Sequence, residues 1–220
     1  MVAHPIPSQA ALAAVESEAQ SFFSDTHGCH GWDHAVRVRA SCLQLGQEEG
    51  ADATVLALAA VLHDIGRKFE DASPGCVCHA QKSAELAAPI LARHGIPPET
   101  IDAVVDCIAC HRFRGTKVPR SIEAKVLFDA DKLDAIGAIG IGRAFLYCGE
   151  HGALLDGGTR GSACVPLESP GHATRREFIE KLSKLKDRMT TPSGARRARE
   201  RHAFMEAFFK RLGAEAAGEL

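Results

Sequence analysis

The chain has 220 residues, with 26 basic and 28 acidic side chains, 11 histidines and a formal net charge of −2 at pH 7. That length supports one sizeable core, and the interspersed charges exclude a chain-wide electrostatic case for binding nucleic acid or a membrane surface, leaving small soluble partners as the expectation. No segment approaches the roughly 18 uncharged apolar residues of a membrane span, and no basic-then-apolar leader follows Met1, so a cytoplasmic protein is expected.

Almost every periodic segment repeats at helical spacing, and no run alternates as a half-buried strand does, so the expected class is all-α. A first helix is predicted over Ser8 to Phe23, with Leu12, Val15, Ala19, Phe22 and Phe23 on one stripe. After a His- and Gly-containing loop, Asp33 is expected to cap a helix that runs to Glu49 and stops at Gly50. Thr54 to Leu62 is apolar on nearly all sides, as a helix in the middle of a bundle is, and it ends on His63-Asp64.

Gly66 closes that helix, and Asp71 to Cys78 reads as a loop around Pro74-Gly75. Helices follow over His79 to His94, with a bend expected at Pro89, and over Glu99 to Cys110 after Pro97-Pro98. Arg112 to Arg120 reads as a basic loop. Ser121 is expected to cap a helix that exposes Glu123 and Lys125 and leads through Val126, Leu127 and Phe128 to Asp131.

Ala135 to Tyr147 is a helix rich in small residues, and Gly149 to Gly171 a long loop of the kind that often serves as a lid. Two amphipathic helices, Thr174 to Met189 and Ala195 to Leu212, close the chain around a break at Thr190 to Gly194. The whole reads as a single domain with its core at about 28–147, a loop at 149–171 and C-terminal helices at 172–213.

Four residues from three separate helices carry the chemistry. His34 opens one helix, His63-Asp64 ends the apolar one, and Asp131 lies in Phe-Asp-Ala-Asp-Lys-Leu-Asp. Imidazole nitrogen with carboxylate oxygen suits borderline to hard divalent ions, and a set without thiolates argues against a closed structural zinc site. Such a centre acidifies water and polarises phosphorus. Arg67, Lys68 and Lys132 flank these ligands, and Arg112, Arg114 and Lys117 follow His111, as phosphate-binding cations would.

In these residues the chain resembles the HD-domain metal-dependent phosphohydrolases, all-helical enzymes named for an adjacent His-Asp pair. His34 matches the family's first His, His63-Asp64 the pair, and Asp131 the late Asp. The resemblance spans about Gly28 to Tyr147 and includes His-Asp-Ile-Gly and Asp-Ala-Asp-Lys-Leu-Asp-Ala-Ile-Gly, which look like a bacterial subgroup containing nucleotide pyrophosphohydrolases. It implies one divalent ion held by His34, His63, Asp64 and Asp131, with manganese first and iron, cobalt, nickel, zinc or magnesium as alternatives.

The expected substrate is a small phosphorylated molecule, a nucleotide foremost, with a nucleoside triphosphate split to monophosphate and pyrophosphate. Asp64 is assigned to the attacking water, His79 or His111 to protonating the leaving group, and Arg67, Lys68, Arg112 and Lys132 to the phosphates. In the family's dinuclear branch, histidines in the region of His79 and His111 hold a second ion. Arg112 after His111, where some dinuclear relatives have a second His, favours one ion here. A diiron oxygenase and a non-catalytic nucleotide-sensing module are the alternative functions, and homo-oligomerisation is left open.

The eight cysteines, scattered through a mid-sized chain, read as reduced thiols rather than a disulfide framework. Cys107-Ile-Ala-Cys110-His111 matches covalent haem attachment, but without export haem is not expected. Cys76, Cys78 and His79 with Cys107 and Cys110 resemble a thiolate zinc site only loosely. His27 and His30 are read as loop residues shaping the site.

Overall fold

The apolar stripes fold as helices in the computed structural model, which describes residues 7–24, 30–73, 75–112, 117–150 and 182–220. Among the described residues every regular element is helical, so the chain is all-α. It divides into two compact units, Met1–Asp131 and Lys132–Leu220. No helix among the described residues is long and apolar enough to cross a membrane.

The first unit holds α1 (Gln9–Ser21), α2 (Trp32–Glu49), α3 (Ala53–Leu62), α4 (Arg67–Asp71), α5 (His79–Arg93), α6 (Pro98–Cys110) and most of α7 (Ile122–Leu133). Its centre is α3, whose Val55, Leu56, Leu58, Ala59, Ala60, Val61 and Leu62 are all buried. A helix apolar on every side needs neighbours on every side, and α3 packs on α1, α2, α5 and α6. The Asp52 carboxylate caps it, accepting from the amides of Thr54 at 2.7 Å and Val55 at 3.1 Å. The Asp52 amide in turn donates to Glu123 at 3.0 Å, so Glu123 is half-buried and ties α7 to α3 rather than lying on an exposed side.

On α2 the buried positions His34, Val38, Cys42 and Leu45 share one stripe, which carries His34 inward with the core. At Gly46 an added Cβ would meet Leu56 Cδ1 at 2.3 Å, so the Leu56 side chain of α3 occupies the space a larger residue on α2 would need. The helix starts two residues earlier than predicted, with Gly31 rather than Asp33 at its N-cap. Asp33 lies inside the first turn, where its carboxylate accepts from Arg37 at 2.6 Å instead of capping.

Two further differences come from local geometry. The five-residue α4, too short to show a period and assigned no element from the sequence, forms because the turn after Asp64 continues through Arg67 N–H to Asp64 C=O at 2.9 Å. Helix α5 runs without interruption through Pro89.

In the second unit α8 (Gly137–Glu150) and α9 (Pro192–Ala216) pack together, and a 3₁₀ helix, Leu182–Arg188, packs on α9. The predicted α-helix at Thr174 to Met189 is thus 3₁₀ where it is described. Its first part, and residues 151–171 of the expected loop, lie outside the described residues. The break before the last helix is shorter than expected, because Thr191 Oγ1 accepts from Gly194 N–H at 3.0 Å while Pro192 takes a position that needs no amide. Arg143 pairs with Asp134 at 2.8 Å in this unit.

Candidate metal centre

Four helix ends and the last turn of α7 deliver the side chains of the first unit's polar centre. His34 comes from the first turn of α2, His63 caps the C-terminus of α3, Asp64 follows it, and Asp131 lies near the end of α7. His79 opens α5 and His111 caps α6. His34, His63, Asp64, His79 and His111 are all buried, the first two completely. Burying an ionised carboxylate costs several kcal/mol unless charge and hydrogen bonds compensate it, so Asp64 at 2 % exposure demands concentrated positive charge around it.

The two oxygens of Asp64 face different company. Oδ2 lies 3.9 Å from His34 Nε2, 3.8 Å from His63 Nε2 and 3.5 Å from His30 Nδ1. His34 Nε2 is 3.3 Å from His63 Nε2 and 3.4 Å from Asp131 Oδ1. Oδ1 lies 3.7 Å from both His79 Nε2 and His111 Nε2, and Arg67 Nη2 stands 3.4 Å from each carboxylate oxygen.

Most Oδ2-side separations are long for direct hydrogen bonds. Two donors each about 2.1 Å from a shared ion sit roughly 3.0 to 3.5 Å apart at octahedral to tetrahedral angles, which is nearer to what is seen. His34, His63 and Asp131 form one group whose ligand atoms all lie within 4.8 Å of one another, His30, His34 and Asp64 form another, and His63, Asp64 and His111 a third. Imidazoles and carboxylates meeting in this way fit a divalent cation.

The ring chemistry agrees. His63 Nδ1–H donates to the Ala60 carbonyl at 2.7 Å, and His111 Nδ1–H to the Ile108 carbonyl at 2.6 Å, which leaves each Nε2 as the lone-pair nitrogen on the polar centre. Burial pushes the His63 imidazole down to about 3, against the opposing pull of Asp64, so it stays neutral and able to ligate. Although burial resists its ionisation, Asp64 is held well below the usual carboxylate range by Arg67 and the surrounding imidazoles.

The other predicted site residues divide. Arg67 is at the centre, half-buried, with Nη1 3.1 Å from Glu70. Arg112 Nη2 binds the other Glu70 oxygen at 2.9 Å. Lys68 is exposed and its Nζ lies over the rings of Phe22 and Phe69 at 5.2 and 5.6 Å, held by aromatic faces rather than by the cage. Lys132 is buried and follows Asp131 on α7, in the second unit. Lys117 is exposed, while Arg114 and His27 lie outside the described residues.

Glu70 escaped the sequence reading. It joins Arg67, Arg112 and His79, accepting a short hydrogen bond from His79 Nδ1–H. Its one sequence signal was the i, i+3 spacing from Arg67 after the His-Asp pair. Gly66 was read only as a stop, yet an added Cβ there would lie 2.6 Å from Ser83 N and 2.7 Å from His79 O. This glycine therefore lets the His-Asp turn approach the start of α5. No cysteine belongs to the described groups of converging ligand atoms, and Cys42, Cys76, Cys78, Cys107, Cys110 and Cys148 are free thiols.

Residues 31–136 match the HD-domain family model. The chain is 34% identical over 209 residues to an uncharacterised Bacillus subtilis protein, YpgQ, covering 93% of each. The crystal structure of YpgQ in complex with ADP superposes with a TM-score of 0.70 at 30% identity, covering 94% of this chain and 95% of that one. That of an HD-superfamily hydrolase from Bacillus thuringiensis gives 0.71 at 29% identity, covering 95% and 98%.

Proposed function

The chain belongs to the HD-domain phosphohydrolase superfamily, and on that premise we propose that it hydrolyses a nucleotide, cleaving a nucleoside triphosphate to the monophosphate and pyrophosphate. The observation that carries this reading is the convergence of His34, His63, Asp64 and Asp131 with a guanidinium, Arg67, laid against the buried carboxylate. The complex of the Bacillus subtilis relative with ADP supports a nucleotide ligand.

His34, His63, Asp64 and Asp131 would hold one divalent ion, manganese foremost, which would supply Lewis acidity toward a phosphate oxygen and water. Asp64 orients that water for in-line attack on phosphorus. Burial pushes His79 down to about 3, with Asp64 opposing and Arg67 adding to the shift, so His79 is neutral and its Nε2 first accepts the water proton. It then returns the proton to the leaving oxygen, as the P–O anhydride bond breaks and the new P–O bond forms. His111 Nε2, also 3.7 Å from Asp64 Oδ1, is placed for the same exchange.

Arg67 and Arg112 neutralise the spreading charge. Arg67 Nε is buried with no hydrogen-bond partner, a donor that an arriving phosphate oxygen satisfies. A second ion through His79 and His111, which a diiron oxygenase needs, is disfavoured because Arg67 places a permanent cation 3.4 Å from His79 Nε2. Free thiols accord with a cytoplasmic setting.

The test is a panel of nucleoside triphosphates, sugar phosphates and cyclic nucleotides assayed with Mn, Mg, Co, Ni and Zn, with products identified. Release of pyrophosphate and monophosphate is expected. Nucleotide binding without turnover under every metal would replace the enzyme with a sensing module.

A further inference from the structure

We propose that Glu70 is a positioning residue that holds His79 in the orientation and tautomer needed for proton transfer; this rests on the hydrolase reading above. The case is geometric. Glu70 lies on α4, one turn beyond Arg67, and its two oxygens are divided between two tasks. Oε2 receives the His79 Nδ1–H and Arg67 Nη1, the latter at 3.1 Å, while Oε1 receives Arg112 Nη2 at 2.9 Å.

An imidazole whose Nδ1–H is donated to a carboxylate has its remaining lone pair on Nε2. In His79 that atom stands 3.7 Å from Asp64 Oδ1, on the side away from the His34 and His63 cluster. His63 and His111 reach the same tautomer by donating to backbone carbonyls, which come with the helix. His79 sits at the first position of α5, where no preceding turn of its own helix offers a carbonyl, and a side chain supplies the acceptor instead.

The carboxylate adds what a carbonyl lacks. Its negative charge stabilises the imidazolium that forms while His79 carries the proton, and the two guanidiniums fix the rotamer of Glu70 in turn. Glu70 touches neither reacting atoms nor the four ligands by this account and acts through His79.

The experiment compares Glu70→Ala, Glu70→Gln and His79→Ala with the double variant Glu70→Ala/His79→Ala, using ATP and Mn²⁺, with bound metal and thermal melting recorded for each. Glu70→Ala should lower kcat about 10- to 100-fold with bound metal unchanged. Glu70→Gln keeps an acceptor oxygen and should recover part of that loss. Because Glu70 also holds Arg67 and Arg112, Glu70→Ala should still cost something once His79 is gone, but clearly less than in the wild-type background. Long-range ¹⁵N spectra should show His79 as the Nδ1–H tautomer in the wild type and Glu70→Gln, and a mixture in Glu70→Ala. An equal penalty from Glu70→Ala with and without His79, or an unchanged His79 spectrum, overturns the positioning role. Full activity in His79→Ala would overturn the proton-transfer reading itself, a result the spectra distinguish because they need no turnover.

Discussion

The two sides of Asp64 use the same residue type for different work. Around Oδ2 the imidazoles of His30, His34 and His63 meet Asp131, with Arg67 Nη2 3.4 Å from the same oxygen. Around Oδ1 the imidazoles of His79 and His111 are interleaved with Arg67 and, through Glu70, Arg112. Imidazoles that meet a second carboxylate, Asp131, suit a metal, whereas an imidazole held between Arg67 and the Glu70 carboxylate, as His79 is, suits an anion and a moving proton. Histidine count alone would have given both sides the same role.

The largest test of this contrast is Asp64→Ala, which removes the residue both sides share. Turnover should fall by at least about 10³-fold and bound metal should be lost, with the helical CD spectrum largely kept, since α3 is held by its own apolar packing. Retained hydrolysis would remove the centre from the chemistry altogether. The contrast is sharpened by Arg67→Ala. Wild-type protein should carry one ion per chain by elemental analysis, and the variant should bind more, because the permanent cation beside His79 is gone. Two ions already in the wild type would erase the distinction between the sides.

Gly66→Ala perturbs one side more than the other. Its Cβ would press on Ser83 N and His79 O, so the start of α5 must move, at a cost of about 1–3 kcal/mol in stability read from denaturant unfolding. The kcat should drop further than the affinity for manganese, because His79 shifts while His34, His63 and Asp131 stay.

The smallest effect is expected at the far end of α5, where Glu18 of α1 pairs with Arg93 and, at 2.7 Å, with His94. Although burial works against it, these bonds lower the Glu18 carboxyl below its ordinary 4.5. Its contribution is therefore present above that value and lost as pH falls through the lowered one. Glu18→Gln should flatten the acid limb of the stability curve by less than about 1 kcal/mol, as exposed pairs do, and leave turnover unchanged. A marked loss of activity would mean that His79 is positioned from the α1 end and not by Glu70.

Most of the helical plan was legible because apolar spacing reports it directly. The all-apolar run before His63 announced a central helix, and Ser121, Gly50 and Gly95 marked ends that the structure keeps: Ser121 Oγ accepts from Ala124 N–H at 3.1 Å, and both glycines have φ near +70°. Short elements were less legible. α4 is five residues, below the length at which a period shows, and with it Glu70 went unread. Lys68, chosen for its place beside the His-Asp pair, lies over Phe22 and Phe69, because side-chain direction on a short helix depends on what packs around it.

By itself, then, the order of residues determined most of the helices and the succession of His34, His63-Asp64 and Asp131 along them, since each of these follows from spacing along one segment. Only the tertiary structure decided which oxygen of Asp64 faces which histidines, that Arg67 stands between Asp64 and His79, and that Glu70 joins His79 to Arg112. Those relations join side chains from different helices, and their distances are set by how α2, α5 and α6 pack on α3 and α4 on α5 rather than by any local pattern.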